Sequence, residues 1–301
     1  MMKILTNTTK ITMAILLMGV LILPTSCKKE LLDQTPTDLL ASENFWKTDE
    51  DATIALMASY SAARAVFDRD YYFDGQGAEF TRVRGNSGTS GQILRGDAYQ
   101  AGTYLPSGYG ANFDKYFSYL YGSVNRANYV IENITNKMLP TATGTKLASL
   151  ESIVAEARLL RGMTYFRLIT MWGDVPYIGK IVYDNSEVAS LSRMPIGQVK
   201  DSIMADFNYA VAKLPNKAAA LGRAAKPAAL AFRGKLNLYW GSWKKNGWPE
   251  LEGFTQNSAE ATTAFTAAAA DFKSVINDFG LTLYKNGDPG QIDALGKADI
   301  L

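Results

Sequence analysis

The sequence predicts an all-α protein in which helices stack in successive antiparallel pairs, with one long irregular loop among them. Two observations indicate this fold class. Apolar residues recur at helical spacing in several segments that end at proline or glycine, and strand-like patterns are confined to short runs such as residues 178–183. Two of the helical segments also share a sequence pattern, which is typical of a stacked, solenoid-like array of helix pairs.

The first predicted helix begins at about Thr48 and ends at about Phe67. Thr48 and Asp51 have the spacing of a capping box, in which each side chain bonds the other residue's backbone N–H. Acidic residues fill the first turn, where the helix dipole favours negative charge. The apolar stripe of this helix has helical spacing and comprises Ile54, Met57, Ala58 and Ala62.

The segment from Asp68 to Gly110 differs in kind, because it has neither a helical nor a strand period. It is rich in glycine, tyrosine and arginine. An irregular segment of this length inside a compact domain is usually either functional or disordered. Its many aromatic residues favour an ordered surface over a flexible linker.

Further helices are predicted after this loop, at residues 112–136, 146–172, 195–214, 226–243 and 258–279. Proline and glycine break the pattern between them, at Leu139-Pro140, Gly173-Asp174-Val175-Pro176, Leu214-Pro215 and Gly280. The stretches at residues 184–192 and 244–257 are therefore predicted to be connectors.

Two of these helices carry the same pattern of small, cationic and aromatic residues. In the first copy the shared residues are Ala157, Arg161, Gly162 and Trp172-Gly173; in the second they are Ala229, Arg233, Gly234 and Trp240-Gly241. Arg161 and Arg233 lie 72 positions apart, about twice the ~34-residue period of tetratricopeptide-like helix pairs. We therefore expect tetratricopeptide-like pairs, with the two arginines packing or pairing between helices.

The N-terminal segment has the features of an export signal. Two lysines precede an apolar run of 13 residues, 11–23, which is shorter than the roughly 20 residues that span a bilayer. The sequence Leu23-Pro24-Thr25-Ser26-Cys27 resembles a bacterial lipoprotein cleavage site. We therefore expect residues 1–26 to be a signal peptide and Cys27 to be lipidated, or else cleavage near Ser26 to leave an exported chain without lipid.

The rest of the chain is expected to form a tether at residues 27–43 and a helical domain at residues 44–301. The tether mixes charged residues with Thr35-Pro36-Thr37. No second apolar run of membrane length follows the signal segment.

The composition excludes several classes of function. The chain has no histidine and a single cysteine, which removes histidine-based catalysis, histidine-ligated zinc and intrachain disulfides. With 31 basic and 29 acidic residues, it offers no excess charge for nucleic acid. A glycosidase using two carboxylates remains as a rival, but no recognisable pair of acids in a loop context supports it. No metal or cofactor is expected.

Short motifs along the chain resemble the SusD/RagB family of outer-membrane nutrient-binding lipoproteins. They occur in family order: residues 31–36 (LLDQTP), 44–52 (NFWKTDEDA), 125–128 (NRAN), 131–134 (IENI), 155–162 (AEARLLRG), 171–176 (MWGDVP), Ser202-Ile203 with Asp206-Phe207, Ala210 and Leu214-Pro215, and 228–234 (AALAFRG). Family members are usually considerably longer, so we expect this sequence to be a fragment or a shortened gene product that is incomplete at its C-terminus.

The resemblance implies a core of tetratricopeptide-like units in a noncatalytic glycan-binding subunit. Such a subunit sits on a SusC-like TonB-dependent outer-membrane transporter, to which it delivers oligosaccharide for nutrient uptake. It is anchored by lipid at the outer membrane and faces the exterior. Some relatives capture peptides, so a peptide-capturing or protein-interaction scaffold at the outer membrane is the alternative.

The irregular loop has the composition of a sugar-binding surface, because sugars stack on aromatic rings and bond amide or guanidinium groups. The candidate ligand-binding residues are Tyr71, Tyr72, Arg82, Arg84, Asn86, Tyr99 and Tyr104. For each of them, packing or simple exposure is an equally good interpretation. Trp46, Trp172 and Trp240 are expected in the core, whereas Trp243 and Trp248 flank an exposed-looking turn and could face ligand or transporter.

Overall fold

The computed structural model describes residues 45–67, 110–248 and 254–281. These residues form α1 (Asp49–Phe67), α2 (Gly110–Asn133), α3 (Gly144–Trp172), α4 (Ile196–Lys213), α5 (Lys226–Asn246) and α6 (Ser258–Asp278). From Trp46 onward they belong to one compact unit. The prediction of an all-α protein is confirmed, with each predicted helix present in the described part of the chain.

Helix ends differ from the predicted ones by a few residues. α2 does not continue regularly to residue 136, because a π-helical turn at Ile134–Met138 and a 3-10 turn at Leu139–Thr141 follow it. α5 extends to Asn246, so the first residues of the predicted 244–257 connector are helical. Gly247 ends the helix with a φ of 73°, a conformation that favours glycine, and its N–H donates to the Trp243 carbonyl.

The expected cap of α1 is present. The Thr48 N–H donates to Oδ2 of Asp51 over 2.8 Å, and the Asp51 N–H donates to Oγ1 of Thr48 over 3.2 Å. This reciprocal pair satisfies two N–H groups that a helix start otherwise leaves without partners.

Consecutive helices pack against each other along the chain. α1 lies on α2, α3 on α4, and α5 on α6, while contacts of α2 with α3 and of α4 with α5 join one pair to the next. The core between them is aliphatic and aromatic, and includes Leu120, Leu159, Tyr165, Phe207 and Leu236. The structure therefore has the predicted arrangement of stacked helix pairs.

The repeated Arg-Gly pattern marks the same contact in two successive pairs. Arg161 of α3 donates from Nε and Nη2 to the Asp206 carboxylate of α4, at 2.8 and 2.7 Å. Arg233 of α5 donates in the same way to Asp271 of α6, at 2.8 and 2.6 Å. In each case Nη1 also reaches an asparagine of the preceding pair, Asn128 or Asn208. The arginines therefore pair between helices, as expected.

The glycine beside each arginine allows the two helices to approach closely. A Cβ atom on Gly162 would lie 2.6 Å from Cε1 of Phe207, and one on Gly234 would lie 2.8 Å from Cε1 of Phe272. In each pair, a phenylalanine ring of the second helix thus occupies the space that a side chain at the glycine position of the first helix would need.

The run at residues 178–183, which carried a strand signal, is not a strand. Among the described residues, the single sheet-like contact is an isolated bridge between Val175 and Met194. None of the described helices is long and apolar enough to cross a bilayer.

Candidate functional site

The seven candidate ligand-binding residues all lie outside the described residues, as does Cys27. They are Tyr71, Tyr72, Arg82, Arg84, Asn86, Tyr99 and Tyr104, and their role remains a prediction. The structure does describe the two helices that bracket this loop, α1 and α2.

A segment that we call the strap, residues 176–188, lies along α2 and is held there by side chains of that helix. The Asn125 amide donates to the Val182 carbonyl over 2.8 Å and accepts from the Val182 N–H over 2.9 Å. Asn128 donates to the carbonyls of Ile178 and Lys180, at 3.0 and 2.8 Å. An extended backbone is thus bound by asparagine side chains, in place of a neighbouring strand.

The hydroxyls of two tyrosines hold the first residues of the strap through hydrogen bonds to its backbone. The Tyr165 hydroxyl accepts from the Ile178 N–H over 2.6 Å, and the Tyr121 hydroxyl donates to the Pro176 carbonyl over 2.7 Å. Burial raises the pKa of both phenols above the ordinary value. Both phenols therefore remain protonated over the whole physiological range.

A groove of about 460 Å³ lies between α2 and the strap, and we call it the strap groove. Its walls are mainly apolar and aromatic, with a few polar groups, which is the usual character of a small-molecule site. α2 contributes Phe117, Ser118, Tyr121, Gly122, Val124 and Asn125, and the strap contributes Pro176, Ile178, Val182, Asn185 and Val188. α2 begins at Gly110, the last residue of the predicted loop, about 10 Å along the helix from Phe117.

A second groove of about 420 Å³ lies between α3 and α5. Phe166, Phe232, Tyr239 and Trp243 supply aromatic surface, and Arg167, Thr170, Lys235 and Ser242 supply polar groups. We call it the α3–α5 groove.

The tryptophans divide largely as expected. Trp46 and Trp240 are buried, and Trp172 is partly buried against Phe117, with ring centroids 5.3 Å apart. Trp243 stacks on Trp248, with ring centroids 4.7 Å apart and planes within 20°. Trp248 is 39% exposed.

The buried carboxylates of the described residues are held in structural contacts. Asp206 and Asp271 pair with arginines of the repeat, while Glu156 accepts from Arg223 and from the Tyr60 hydroxyl, at 2.5 and 2.6 Å. No cluster of three or more potential metal ligands occurs among the residues that the structure describes. These acids link helices and are not arranged as an acid–base pair around a cleft.

Comparison with known proteins identifies the family. Residues 81–238, just over half of the chain, match the SusD-like family described as starch-binding and associating with the outer membrane. SusD-like protein P2 of Formosa agariphila is 28% identical over 228 residues, which cover 71% of this chain and 41% of that protein. The chain thus spans about two fifths of the length of that relative.

Solved structures share the fold. A SusD homolog from Bacteroides thetaiotaomicron superimposes with a TM-score of 0.60 at 22% identity, covering 83% of this chain and 44% of the other. A laminarin-binding SusD-like protein gives a TM-score of 0.54 at 23% identity, covering 79% and 46%. The matched segment, residues 81–238, contains α2, α3, α4, the strap and both Arg-Gly pairs, and we conclude that the chain belongs to the SusD-like family.

Proposed function

We propose that this chain is part of a noncatalytic glycan-binding protein of the outer membrane. The observation that carries the proposal is the match of residues 81–238 to a family described as starch-binding and associating with that membrane. The buried carboxylates among the described residues support the proposal that the protein is noncatalytic. Asp206, Asp271 and Glu156 already accept hydrogen bonds from arginines.

The proposed glycan surface comprises the loop at residues 68–110 and the strap groove. The loop supplies tyrosines as platforms for sugar rings, with Arg82, Arg84 and Asn86 as hydroxyl partners. The groove adds a preformed wall, because asparagines of α2 and buried tyrosines fix the strap. A rigid wall lowers the entropy lost on binding.

A SusC-like TonB-dependent transporter is the proposed partner, and nutrient uptake is the proposed process. Lipid on Cys27 would hold the protein at the membrane, and the tether at residues 27–43 would let the helical domain lie over a transporter pore. The basis for this part is the family's association with the outer membrane and the lipoprotein-like sequence at Cys27.

Capture of an extended peptide on α2 is the less favoured alternative. Asn125 and Asn128 are suited to bind a peptide backbone, but in this structure they bind the chain's own strap. A peptide would have to displace four hydrogen bonds between these two side chains and the strap.

Calorimetric titration tests the proposal. The chain without its signal segment is titrated with laminarin oligosaccharides, malto-oligosaccharides and a mixed peptide library, and the sugars are analysed for cleavage. We expect saturable binding of at least one sugar series without cleavage. Binding of peptides alone, or release of shortened sugars, would contradict the proposal.

A further inference from the structure

Three aromatic rings form a stacked cluster at the C-terminal end of α5. Trp248 and Phe254 lie nearly parallel, with planes within 9° and centroids 6.4 Å apart, and both stack on Trp243. Phe254 is completely buried, whereas Trp248 keeps 39% of its surface exposed. Because Trp243 covers one face of Trp248, the exposed part includes surface that points away from the cluster.

The backbone holds Trp248 in a fixed position. The Trp248 N–H donates to the Phe254 carbonyl over 2.9 Å, and the Asn257 N–H donates to the Lys244 carbonyl over 2.8 Å. Gly247, in its left-handed conformation, ends α5 directly before the ring. Because stacking on Trp243 also restrains the ring, Trp248 loses little further conformational freedom when a ligand stacks on it.

The cluster continues into the α3–α5 groove, because Trp243 belongs to both. Ser242, Tyr239 and Lys235 line this groove together with Trp243. The Ser242 hydroxyl donates to the Leu238 carbonyl over 2.8 Å, so it can act toward a ligand as an acceptor. Burial raises the pKa of Tyr239 to about 12, so this phenol stays protonated. Aromatic faces beside hydroxyl and ammonium groups are the chemistry that binds the apolar face and the hydroxyls of a sugar ring.

We propose that Trp248 and the α3–α5 groove form a second glycan-contacting surface, on which a sugar ring stacks against Trp248 and a neighbouring ring lies along the groove. The groove volume of about 420 Å³ is within the range of small-molecule sites. This inference rests on the proposed glycan-binding function and adds a second surface to it.

The test uses variants of the chain without its signal segment. Each is titrated calorimetrically with laminarin oligosaccharides and with malto-oligosaccharides. Trp248→Ala removes the platform, Trp248→Phe keeps a smaller ring, and Lys235→Met removes the ammonium but keeps its aliphatic stem. Leu221→Ala is the control, because Leu221 is a fully exposed apolar side chain on the α4–α5 connector. Thermal unfolding, followed by circular dichroism, confirms that each variant is folded.

We expect Trp248→Ala to weaken binding about three- to tenfold, Trp248→Phe to have an intermediate effect, and Leu221→Ala to have none. Unchanged affinity in both Trp248→Ala and Lys235→Met would overturn the second surface while leaving the glycan-binding function intact. A Trp248→Ala variant that binds sugar normally but no longer co-purifies with an outer-membrane transporter would assign this surface to protein contact. Failure of the unsubstituted chain to bind either sugar series would overturn both the function and the inference.

Discussion

At the scale of single residues, the two arginines of the repeat make the same contacts at different degrees of burial. The side chain of Arg161 is 7% exposed and its partner Asp206 is 3% exposed, whereas those of Arg233 and Asp271 are 24% and 8% exposed. Removing one member of a buried ion pair leaves the other charge without compensation, and this costs more where water has less access.

The sequence indicated the arginines but not their acceptors. Asp-Phe follows Arg-Gly in both copies, with Asp206 45 residues after Arg161 and Asp271 38 residues after Arg233. Both Asp-Phe pairs are visible in the sequence. Their separations from Arg-Gly are unequal because the connectors between paired helices differ in length, so spacing alone does not identify them as part of the repeat.

Replacing Arg161 with Met should lower the free energy of unfolding by about 3–5 kcal/mol, because it leaves Asp206 as a buried carboxylate. Replacing Arg233 with Met should cost about 1–3 kcal/mol, since water reaches that pair. Urea unfolding followed by circular dichroism measures both. Equal losses, or a larger loss at Arg233, would contradict the role that we assign to burial.

The cap of α1 predicts an acid-sensitive contribution to stability. Hydrogen bonds from the Thr48 backbone, the Thr48 side chain and the Lys47 backbone lower the pKa of Asp51 below its ordinary value, and together they outweigh the opposing effect of burial. A carboxylate with a lowered pKa stabilises the folded state above its unfolded pKa, and this contribution disappears as the pH falls through about 4 and below.

Asp51→Ala should therefore destabilise the protein by about 0.5–2 kcal/mol at pH 7 and by less at pH 3. Urea unfolding at the two pH values measures the difference. Asp49→Ala, which changes the same turn without removing the capping box, serves as the control. A loss from Asp51→Ala that is the same at both pH values would show that the carboxylate charge does not contribute.

At the scale of helices, close approach depends on glycine at particular positions. Gly162 and Gly122 are both helical, but a Cβ atom at Gly162 would collide with the buried ring of Phe207, while one at Gly122 would meet nothing within 4 Å. Alanine favours helix over glycine by about 1 kcal/mol, so the two positions separate intrinsic helix preference from packing.

Gly162→Ala should destabilise the protein by about 1–2 kcal/mol, because the cost of overpacking exceeds the gain in helix preference. Gly122→Ala should be neutral or stabilise by up to about 1 kcal/mol. Thermal and urea unfolding of both variants test this contrast. Stabilisation by Gly162→Ala would mean that Phe207 can move aside without loss.

The strap shows why part of the candidate site could not be predicted. The Asn125-Arg126-Ala127-Asn128 segment was recognisable as a motif, but its partners lie about 50 residues later in the chain. Hydrogen bonds from side chains to a distant, irregular backbone leave no periodic signal in a sequence. The strand-like run at residues 178–183 is instead the part of the strap that these asparagines hold.

Asn125→Ala should loosen the strap without unfolding α2, because it leaves the Val182 N–H and carbonyl without their partner. Hydrogen–deuterium exchange should rise in the strap by about tenfold or more and stay unchanged in α3. Asn136→Ala, at an exposed position after the same helix, is the matched control. Unchanged exchange in the strap would contradict the role of Asn125.

At the scale of the whole molecule, the fold was predictable because each level of the sequence agrees with it. Helical spacing, terminating glycine and proline, and the Arg-Gly repeat all indicate the same stacked pairs. Burial of individual aromatic residues was less predictable. Trp240 and Trp243 are three residues apart on α5, yet Trp240 is buried and bonds Glu260, while Trp243 stacks on Trp248.

The N-terminal segment is predicted to determine where the molecule works. The length of its apolar run predicts an export signal, and Cys27 follows this run in a lipoprotein-like sequence. One acyl chain binds membranes only marginally, so stable anchoring needs at least two. A lipidated Cys27 would therefore keep the helical domain at the membrane surface through a short tether.

Cys27→Ala should move the protein from the membrane fraction to the soluble fraction and abolish incorporation of a fatty-acid analogue. Ser26→Ala is the matched control, because it keeps a small residue before the cysteine and leaves the thiol in place. Fractionation with and without 1 M salt excludes a charge-based association, since such interactions are screened over about 3 Å at that ionic strength. If the unsubstituted protein is already soluble and unlabelled, cleavage near Ser26 without lipidation is the correct interpretation, and the proposed position over a transporter would need another anchor.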